Sequence, residues 1–250
     1  MPVLSSLESV GRFCHLGMSC LLALPGAMLR PREVLRQLHD ILIGALPLAS
    51  VSGLALGVVI WMHSYRLLQR FGAPEYLPEG LALAVVLELA PTGAGLIIAG
   101  RTGASLGAEL GSMRLTEQLD ALEVLGLSPL RQLVAPRVLA CMIALPLLTI
   151  LMIYLELLGS FGAELIGGSL GWVQYQHAAL RSLRLEDALP ALLKTQVFGF
   201  LIGLTGCWCG MTAEGGTEGV GRAATRSVVL SILLVLASNV LLVRVIQMLV

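Results

Sequence analysis

Charged side chains are scarce in this 250-residue sequence, and the positive and negative ones cancel. They make up 13% of the residues, the formal net charge at pH 7 is +0, and Lys194 is the only lysine. A chain without excess positive charge has no electrostatic basis for binding nucleic acid. With 56% hydrophobic residues and a mean hydropathy of +0.87, the composition excludes an ordinary soluble domain and predicts a membrane protein.

The sequence also lacks the motifs of a catalytic, nucleotide-binding or metal site. Lys194 follows Leu193 rather than a glycine, so no Walker A loop is present, and neither an HExxH motif nor a pair of CxxC motifs occurs. The glycine-rich stretch 215–221 has no lysine and is interpreted as a flexible turn. We interpret the cysteines as small buried hydrophobic residues: Cys14, Cys20, Cys141, Cys207 and Cys209. The chain is therefore predicted to be neither an enzyme nor a cofactor protein, and any energy source must lie in another subunit.

Five apolar segments are long enough to cross the roughly 30 Å of hydrocarbon in a bilayer as helices. They are predicted at residues 41–61, 81–100, 138–158, 191–211 and 227–243. The predicted fold class is an all-α polytopic membrane protein. It forms a single domain over residues 1–250, with a transmembrane core at 40–250.

Residues 1–39 precede the first predicted span and allow two interpretations. The stretch 13–29 is moderately apolar but contains Pro25 and Gly26. It is either a helix lying in the membrane interface or a cleaved signal peptide. The interfacial helix is favoured because the cleavage-site pattern is weak and a helix-breaking pair lies inside the apolar stretch.

The distribution of basic residues predicts the orientation of the chain. Ten lie on one side of the predicted membrane: Arg12, Arg30, Arg32, Arg36, Arg101, Arg114, Arg131, Arg137, Arg222 and Arg226. Five lie on the other side: Arg66, Arg70, Arg181, Arg184 and Lys194. The positive-inside rule then puts the N-terminus and the connection 99–137 in the cytoplasm, and the C-terminus outside.

A short amphipathic helix is predicted at residues 116–125, within that cytoplasmic connection. Leucines recur at helical spacing on one face, at Leu115, Leu119, Leu122 and Leu125, and polar residues fill the other, at Glu117, Gln118, Asp120 and Glu123. Thr116 is the predicted cap of the first turn, and Gly126 and Pro129 are the predicted stop. A compact helix of this kind between two membrane spans predicts a docking surface for another protein.

Two carboxylates fall inside predicted spans, where ionisable groups are candidates for function. Glu88, in mid-span near Pro91, favours a functional cavity, whereas Glu156 lies closer to an interface and favours a structural role. Glu88 also allows an alternative function, because a stand-alone proton- or ion-coupled transporter could use such a carboxylate. Many such transporters are built from inverted repeats, and none is visible in this sequence. After this span, glycines at four-residue spacing predict that the helix continues with a smooth face towards a partner: Gly103, Gly107 and Gly111.

Three stretches of the sequence closely resemble the MlaE permease family. The longest is AGRTGASLGAELGSMRLTEQLDALEVLGLSPLRQLVAPRVLA, which LELAPTGAGLIIAGR overlaps and extends forward, and GVGRAATRSVV lies near the C-terminus. Members are the membrane subunits of MCE-type ABC transporters, which move phospholipids between the inner and outer membranes of diderm bacteria. The resemblance covers residues 40–245 and implies a multi-pass protein of the bacterial inner membrane.

The resemblance also implies partners and site residues. The docking helix becomes a coupling helix that inserts into a cytoplasmic ATPase, which binds the ATP and Mg²⁺; its coupling residues are Thr116, Glu117, Gln118, Leu119, Asp120, Leu122 and Glu123. A homodimer, a periplasmic MCE protein and a STAS-domain protein are further implied. The phospholipid cavity is expected at the dimer interface, lined by the first two spans, with contacts from Leu54, Ile60, Trp61, Tyr65 and Glu88. A non-transporting scaffold that anchors these subunits is a weaker interpretation.

The sequence departs from the family pattern beside the membrane glutamate. Leu87 stands where the family has an arginine, and Ala90 where it has a glycine. After the docking helix, Ser128 replaces an acid. The first departure leaves the charge partner of Glu88 open, with Arg66 as one candidate.

Overall fold

In the computed structural model, residues 2–168, 171–183 and 185–249 are described, and nearly all of them are helical. The α-helices in these ranges are α1 (Pro2–Met28), α2 (Pro31–Arg70), α3 (Leu77–Ala84), α4 (Ala90–Leu115), α5 (Gln118–Val124), α6 (Ala135–Gly167), α7 (Trp172–Ser182), α8 (Leu185–Met211) and α9 (Gly216–Leu249). The predicted all-α polytopic fold is confirmed. Arg184, which enters the orientation count, lies outside the described residues.

Five segments of the described chain are long and apolar enough to cross a membrane. They are Pro31–Arg70, Pro74–Leu115, Leu130–Gly167, Ala188–Met211 and Gly216–Met248. Each contains one predicted span and is longer than it. In α2 part of the added length is polar, because residues 63–70 continue the helix beyond the predicted span to Arg70. Pro31 suits the first turn of α2, where a missing backbone N–H leaves no hydrogen bond unmade.

The N-terminal helix α1 packs against the bundle. It continues through Pro25 to Met28 rather than breaking there. The Phe13 ring meets the Trp208 ring of α8 edge-on, with centroids 6.1 Å apart. One turn further on, a Cβ atom on Gly17 would lie 3.1 Å from Leu204 Cδ2, so the glycine lets α1 approach α8 closely.

The cysteines in the described residues are all free, and their environments follow the sequence interpretation with one exception. Four of them are buried, whereas Cys14 is exposed on α1. Burial raises the pKa of the Cys20 thiol to about 11, so this side chain acts as a small neutral hydrophobic residue.

Helices α2 and α6 pack with their backbones in reciprocal contact. A side chain on Gly57 of α2 would collide with the carbonyl oxygen of Glu156, and one on Gly159 of α6 would collide with that of Leu54. A glycine on each helix therefore accommodates the backbone of the other, as small residues do where membrane helices meet.

Glycines of α8 and α4 line further close contacts. A Cβ on Gly203 of α8 would lie 2.9 Å from Val138 Cα of α6. Helix α4 continues to Leu115, as the glycine spacing predicted, and its face packs along α9: the glycines concerned are Gly103, Gly107 and Gly111. Ser227 Oγ of α9 donates a hydrogen bond to the Gly103 carbonyl at 2.7 Å. The smooth face of α4 is thus covered within the same chain.

Among the described residues, two turns of π-helix interrupt the spans, at Val85–Leu89 and Leu130–Val134. The Ala90 N–H donates to the Val85 carbonyl and the Ala135 N–H donates to the Leu130 carbonyl, five residues back in each case. Such turns are rare and cluster at functional positions. The first carries Glu88, and the second follows the docking helix.

Candidate functional site

Glu88 lies at the centre of a polar cluster inside the membrane region. Lys194 of α8 donates from Nζ to Glu88 Oε1 at 2.9 Å and to the Leu87 carbonyl at 2.5 Å. Asn239 of α9 donates from Nδ2 to Glu88 Oε2 at 3.1 Å. The cluster therefore joins three helical segments through one carboxylate, whose charge is paired, as it must be in a low-dielectric environment.

The cluster opens on a cavity of about 330 Å³. Its polar lining comes from Glu88, Lys194, Glu186 and Gln247, and its apolar lining from Leu87, Pro190, Ala191, Val243 and Ile246. The Lys194 side chain is only 2% exposed, whereas that of Glu88 is 42% exposed. A cavity of this size, apolar with a few polar groups of both charges, has the properties of a small-molecule site.

The partner of Glu88 is a residue that sequence reasoning missed. Arg66 donates instead to the Met62 carbonyl of its own helix. A signal for Lys194 was nevertheless present, because a single lysine in an apolar span needs a counter-charge. The separation of 106 positions from Glu88 concealed the pairing.

The aromatic residues expected at the lipid site lie against a different helix. Trp61 Nε1 donates to Glu164 Oε2 of α6 at 2.7 Å, and the Trp61 ring stacks on Tyr65 with centroids 4.7 Å apart. Trp61 is buried, Ile60 is half-buried and Leu54 is exposed. None of these four side chains lines the cavity beside Glu88. The structure thus groups them with α6, apart from the Glu88 cluster.

Helix α7 is held to the same end of α6. The hydroxyl groups of Tyr175 and Ser160 lie 2.8 Å apart and share a hydrogen bond. Burial raises the pKa of Tyr175 to about 12, so the phenol stays protonated. Together with the bond from Trp61 to Glu164, this contact fixes α2, α6 and α7 at one end of the bundle.

Glu156 is the second membrane carboxylate, and its surroundings differ from those of Glu88. Its side chain is 0% exposed, and neither carboxylate oxygen has a hydrogen-bond partner among the residues that the structure describes. A buried carboxylate without a partner is expensive in its charged form. Glu156 is thus buried and unpaired in this part of the chain, whereas Glu88 is paired with Lys194 and lines a cavity.

The docking helix begins later than predicted. Thr116 closes α4 instead of capping α5, because its Oγ1 donates to the Ser112 carbonyl at 2.9 Å. Glu117 then adopts a left-handed backbone conformation with φ +58°, and α5 begins at Gln118. The side chain of Gln118 donates from Nε2 to Thr116 Oγ1 at 2.9 Å. Helix α5 therefore starts from a tight, left-handed corner, which is uncommon for a residue with a side chain.

The end of the docking helix follows the prediction. Gly126 has φ +74°, its N–H donates to the Glu123 carbonyl at 2.9 Å, and the Leu127 N–H donates to the Leu122 carbonyl at 2.9 Å. This is the Schellman arrangement that a glycine after a helix favours.

The apolar face of the docking helix is divided between the bundle and the surface. Leu119 is buried and Leu122 is half-buried, whereas Val124 is 88% and Leu125 is 72% exposed. The polar residues of the helix are also exposed: Glu117, Gln118, Asp120 and Glu123. On the inner side, Arg114 Nη1 of α4 lies 2.5 Å from Asp120 Oδ1. The docking helix is thus fixed to α4 while presenting an apolar tip with acidic sides.

Comparison with known proteins places these features in a family. The family model described as Permease MlaE matches residues 34–245. A probable ABC transporter permease protein of Rickettsia typhi is 35% identical over 94% of this chain and 90% of the relative. The intermembrane phospholipid transport system permease protein MlaE of Haemophilus influenzae is 31% identical over 96% and 92%. The chloroplastic protein TRIGALACTOSYLDIACYLGLYCEROL 1 of Arabidopsis thaliana is 34% identical over 80% and 57%.

Proposed function

The chain belongs to the MlaE permease family, and we propose that it is the membrane subunit of an ABC transporter that moves phospholipid between the inner and outer membranes of a bacterial cell. The observation that carries this proposal is the paired charge of Glu88 and Lys194 at the edge of an otherwise apolar cavity. The similarity to the Haemophilus influenzae phospholipid permease supports the same substrate class.

The Glu88 cluster fits the charged part of a phospholipid. A headgroup carries a phosphate and, in zwitterionic lipids, an ammonium group as well. Lys194 can bind the former and Glu88 the latter, since both line the cavity. The volume of about 330 Å³ accommodates a headgroup or part of an acyl chain rather than a whole lipid. In our proposal the remaining lipid surface is covered across a homodimer interface, where Leu54 and Ile60 contribute apolar contacts, with Trp61 and Tyr65 supporting them from α2.

The docking helix α5 is the proposed contact with a cytoplasmic ATPase. Its exposed tip, Val124 and Leu125, suits an apolar groove, and the exposed acids Glu117 and Glu123 suit basic groups at the rim. Leu119 is buried and holds the helix to the permease. This orientation requires a cytoplasmic N-terminus and a periplasmic C-terminus, as the arginine distribution predicts. The ATPase supplies ATP binding and hydrolysis, and an MCE protein and a STAS-domain protein complete the proposed assembly.

The proposal is tested with the complex purified from its native membrane and reconstituted in vesicles that contain a fluorescent phospholipid. We expect ATP-dependent lipid movement, and phospholipid bound to the purified complex by mass spectrometry. Glu117→Lys should abolish movement and weaken retention of the ATPase without unfolding the permease, because it reverses a charge on the docking helix. Intact coupling in this variant would refute the docking assignment.

A second variant tests the lipid site. Glu88→Ala should change lipid occupancy or ATP hydrolysis because it removes the acid from the cluster, whereas wild-type behaviour would reduce Glu88 to a structural role. Transport by the purified chain alone, driven by a pH gradient and indifferent to ATP, would instead support a proton-coupled carrier. Absence of lipid from the complex would support a scaffold.

A further inference from the structure

A second ion pair lies at the base of the docking segment, outside the Glu88 cluster. Arg137 Nη2, in the first turn of α6, lies 2.5 Å from Glu109 Oε1 of α4. The Arg137 side chain is 5% exposed and that of Glu109 is 46% exposed. The other arginine ion pairs of the described residues are exposed, whereas this one joins a buried guanidinium to a carboxylate.

The position of this pair in the chain is distinctive. Its members are 28 positions apart, and the docking helix and the second π turn lie between them. The pair therefore joins the two helices that enter and leave the docking segment. These two helices connect that segment covalently to the membrane region, and Arg30, just before α2, also bonds to Gln132 in the π turn.

The docking helix has its own attachment to the first of these helices. Arg114 of α4 pairs with Asp120 of α5 at 2.5 Å, and Leu119 is buried at the junction. Helix α5 thus moves with the end of α4. Without the pair between Glu109 and Arg137, nothing polar in the described residues would join that end to α6.

Arg137 also holds the π turn. Its Nη1 donates to the Leu133 carbonyl at 3.1 Å while Nη2 binds Glu109. A guanidinium is a rigid planar fork, so both contacts are fixed in direction by one side chain. Beyond this point α6 continues along α2, where Gly57 and Gly159 bring the two backbones together.

We propose that Glu109 and Arg137 are positioning residues that make α4 and α6 respond together when a partner moves the docking helix. The inference rests on the proposed function, since it requires an ATPase at α5. An apolar contact would stabilise the two helices as well as an ion pair does. Unlike the pair, it would fix neither their register nor the position of the π turn.

The test compares Glu109→Gln with Glu218→Gln in the complex purified with its ATPase and reconstituted in phospholipid vesicles. Glu218 is the matched control, because it forms an exposed ion pair with Arg222 within α9 at 3.4 Å. Three quantities are measured: retained ATPase, ATP hydrolysed, and fluorescent phospholipid moved. For Glu109→Gln we expect retained ATPase and hydrolysis within about twofold of wild type, with lipid movement reduced at least about tenfold. For Glu218→Gln we expect wild-type values throughout.

A double variant that exchanges the two charges distinguishes a loss of coupling between α4 and α6 from a failure to fold. The double variant Glu109→Arg with Arg137→Glu restores opposite charges and should recover at least about a third of wild-type lipid movement. Size-exclusion chromatography shows whether Glu109→Gln folds. If it does not, the double variant tests the inference in its place: a folded double variant that hydrolyses ATP without moving lipid would refute it. Wild-type lipid movement in Glu109→Gln would also overturn it, as would loss of the ATPase in proportion to lipid movement. If the wild-type complex itself retains no ATPase or moves no lipid, the proposed function fails instead.

Discussion

Two ion pairs between helical segments of the described residues combine a buried base with a half-exposed acid. Lys194 and Arg137 are 2% and 5% exposed, whereas their partners Glu88 and Glu109 are 42% and 46% exposed. The cations differ. The ammonium of Lys194 has three donors on a flexible stem, whereas the guanidinium of Arg137 has a fixed planar geometry.

The surroundings of the two pairs also differ. Lys194 faces a cavity, so its donors can exchange a protein acceptor for a ligand. Arg137 is 5% exposed and is divided between the Leu133 carbonyl and Glu109, both of them protein acceptors. The first pair therefore has the properties of a binding site and the second those of a joint.

The largest effect on stability is expected from Glu109→Leu. The substitution leaves the buried Arg137 without its carboxylate, and a guanidinium cannot release its proton to escape the cost. Breaking a buried pair costs about 3–5 kcal/mol, and we expect the lower part of this range because Glu109 is half-exposed. Thermal unfolding in detergent measures the change. An unfolding temperature equal to that of the wild type would mean that Arg137 is already satisfied by backbone groups.

A smaller loss is expected from Glu88→Leu. Lys194 keeps its hydrogen bond to the Leu87 carbonyl, and its flexible stem can reach toward the cavity. We expect a cost of about 1–3 kcal/mol, the range for a buried group that loses one partner. The same unfolding measurement applies. A loss larger than that of Glu109→Leu would contradict the distinction between site and joint.

The substitution Glu156→Gln should change the stability less than either of these two, because this buried carboxylate has no partner in the described part of the chain. A neutral amide of the same size removes the cost of burying a charge and breaks no observed bond. We expect the free energy of unfolding to stay within about 1 kcal/mol of wild type, with any change toward higher stability. A clear loss would reveal a contact that the carboxylate makes in the assembled complex.

The smallest effect is expected from Glu218→Ala. This residue and Arg222 form a pair whose side chains are 82% and 65% exposed. Exposed pairs one helical turn apart contribute roughly 0.3–0.5 kcal/mol, and salt screens them. We therefore expect no measurable change in unfolding temperature at 0.15 M salt. A change as large as that of Glu88→Leu would show that α9 makes further contacts there.

The spans were predictable from the sequence because hydropathy and helix length are local properties. Each predicted span lies inside one long helix, and Gly126 ends the docking helix as expected. The polar end of α2 was not predictable in this way. Residues 63–70 continue the helix past the apolar segment, and Tyr65 stacks on Trp61, which is bonded to Glu164 of α6.

The partners of the buried charges were beyond the reach of sequence patterns. Glu88 stood out as a membrane carboxylate, but Lys194 and Asn239 come from helices more than a hundred positions away. The predicted start of α5 was wrong for a different reason. Thr116 has the side chain of an N-cap, yet its hydroxyl bonds backward to Ser112, and Glu117 adopts a left-handed conformation that sequence does not predict for glutamate.

The π turn at Val85–Leu89 has a consequence for how this helix could have arisen. A turn closed by a bond from Ala90 to Val85 holds one residue more than an α-helical turn. An inserted residue would otherwise rotate the helix on one side of it by roughly 100° relative to the other, and the wider turn absorbs that rotation. A homologue one residue shorter at this point would therefore keep α3 and α4 facing the same neighbours. The extra residue would then alter the helix only locally, at the turn that carries Glu88.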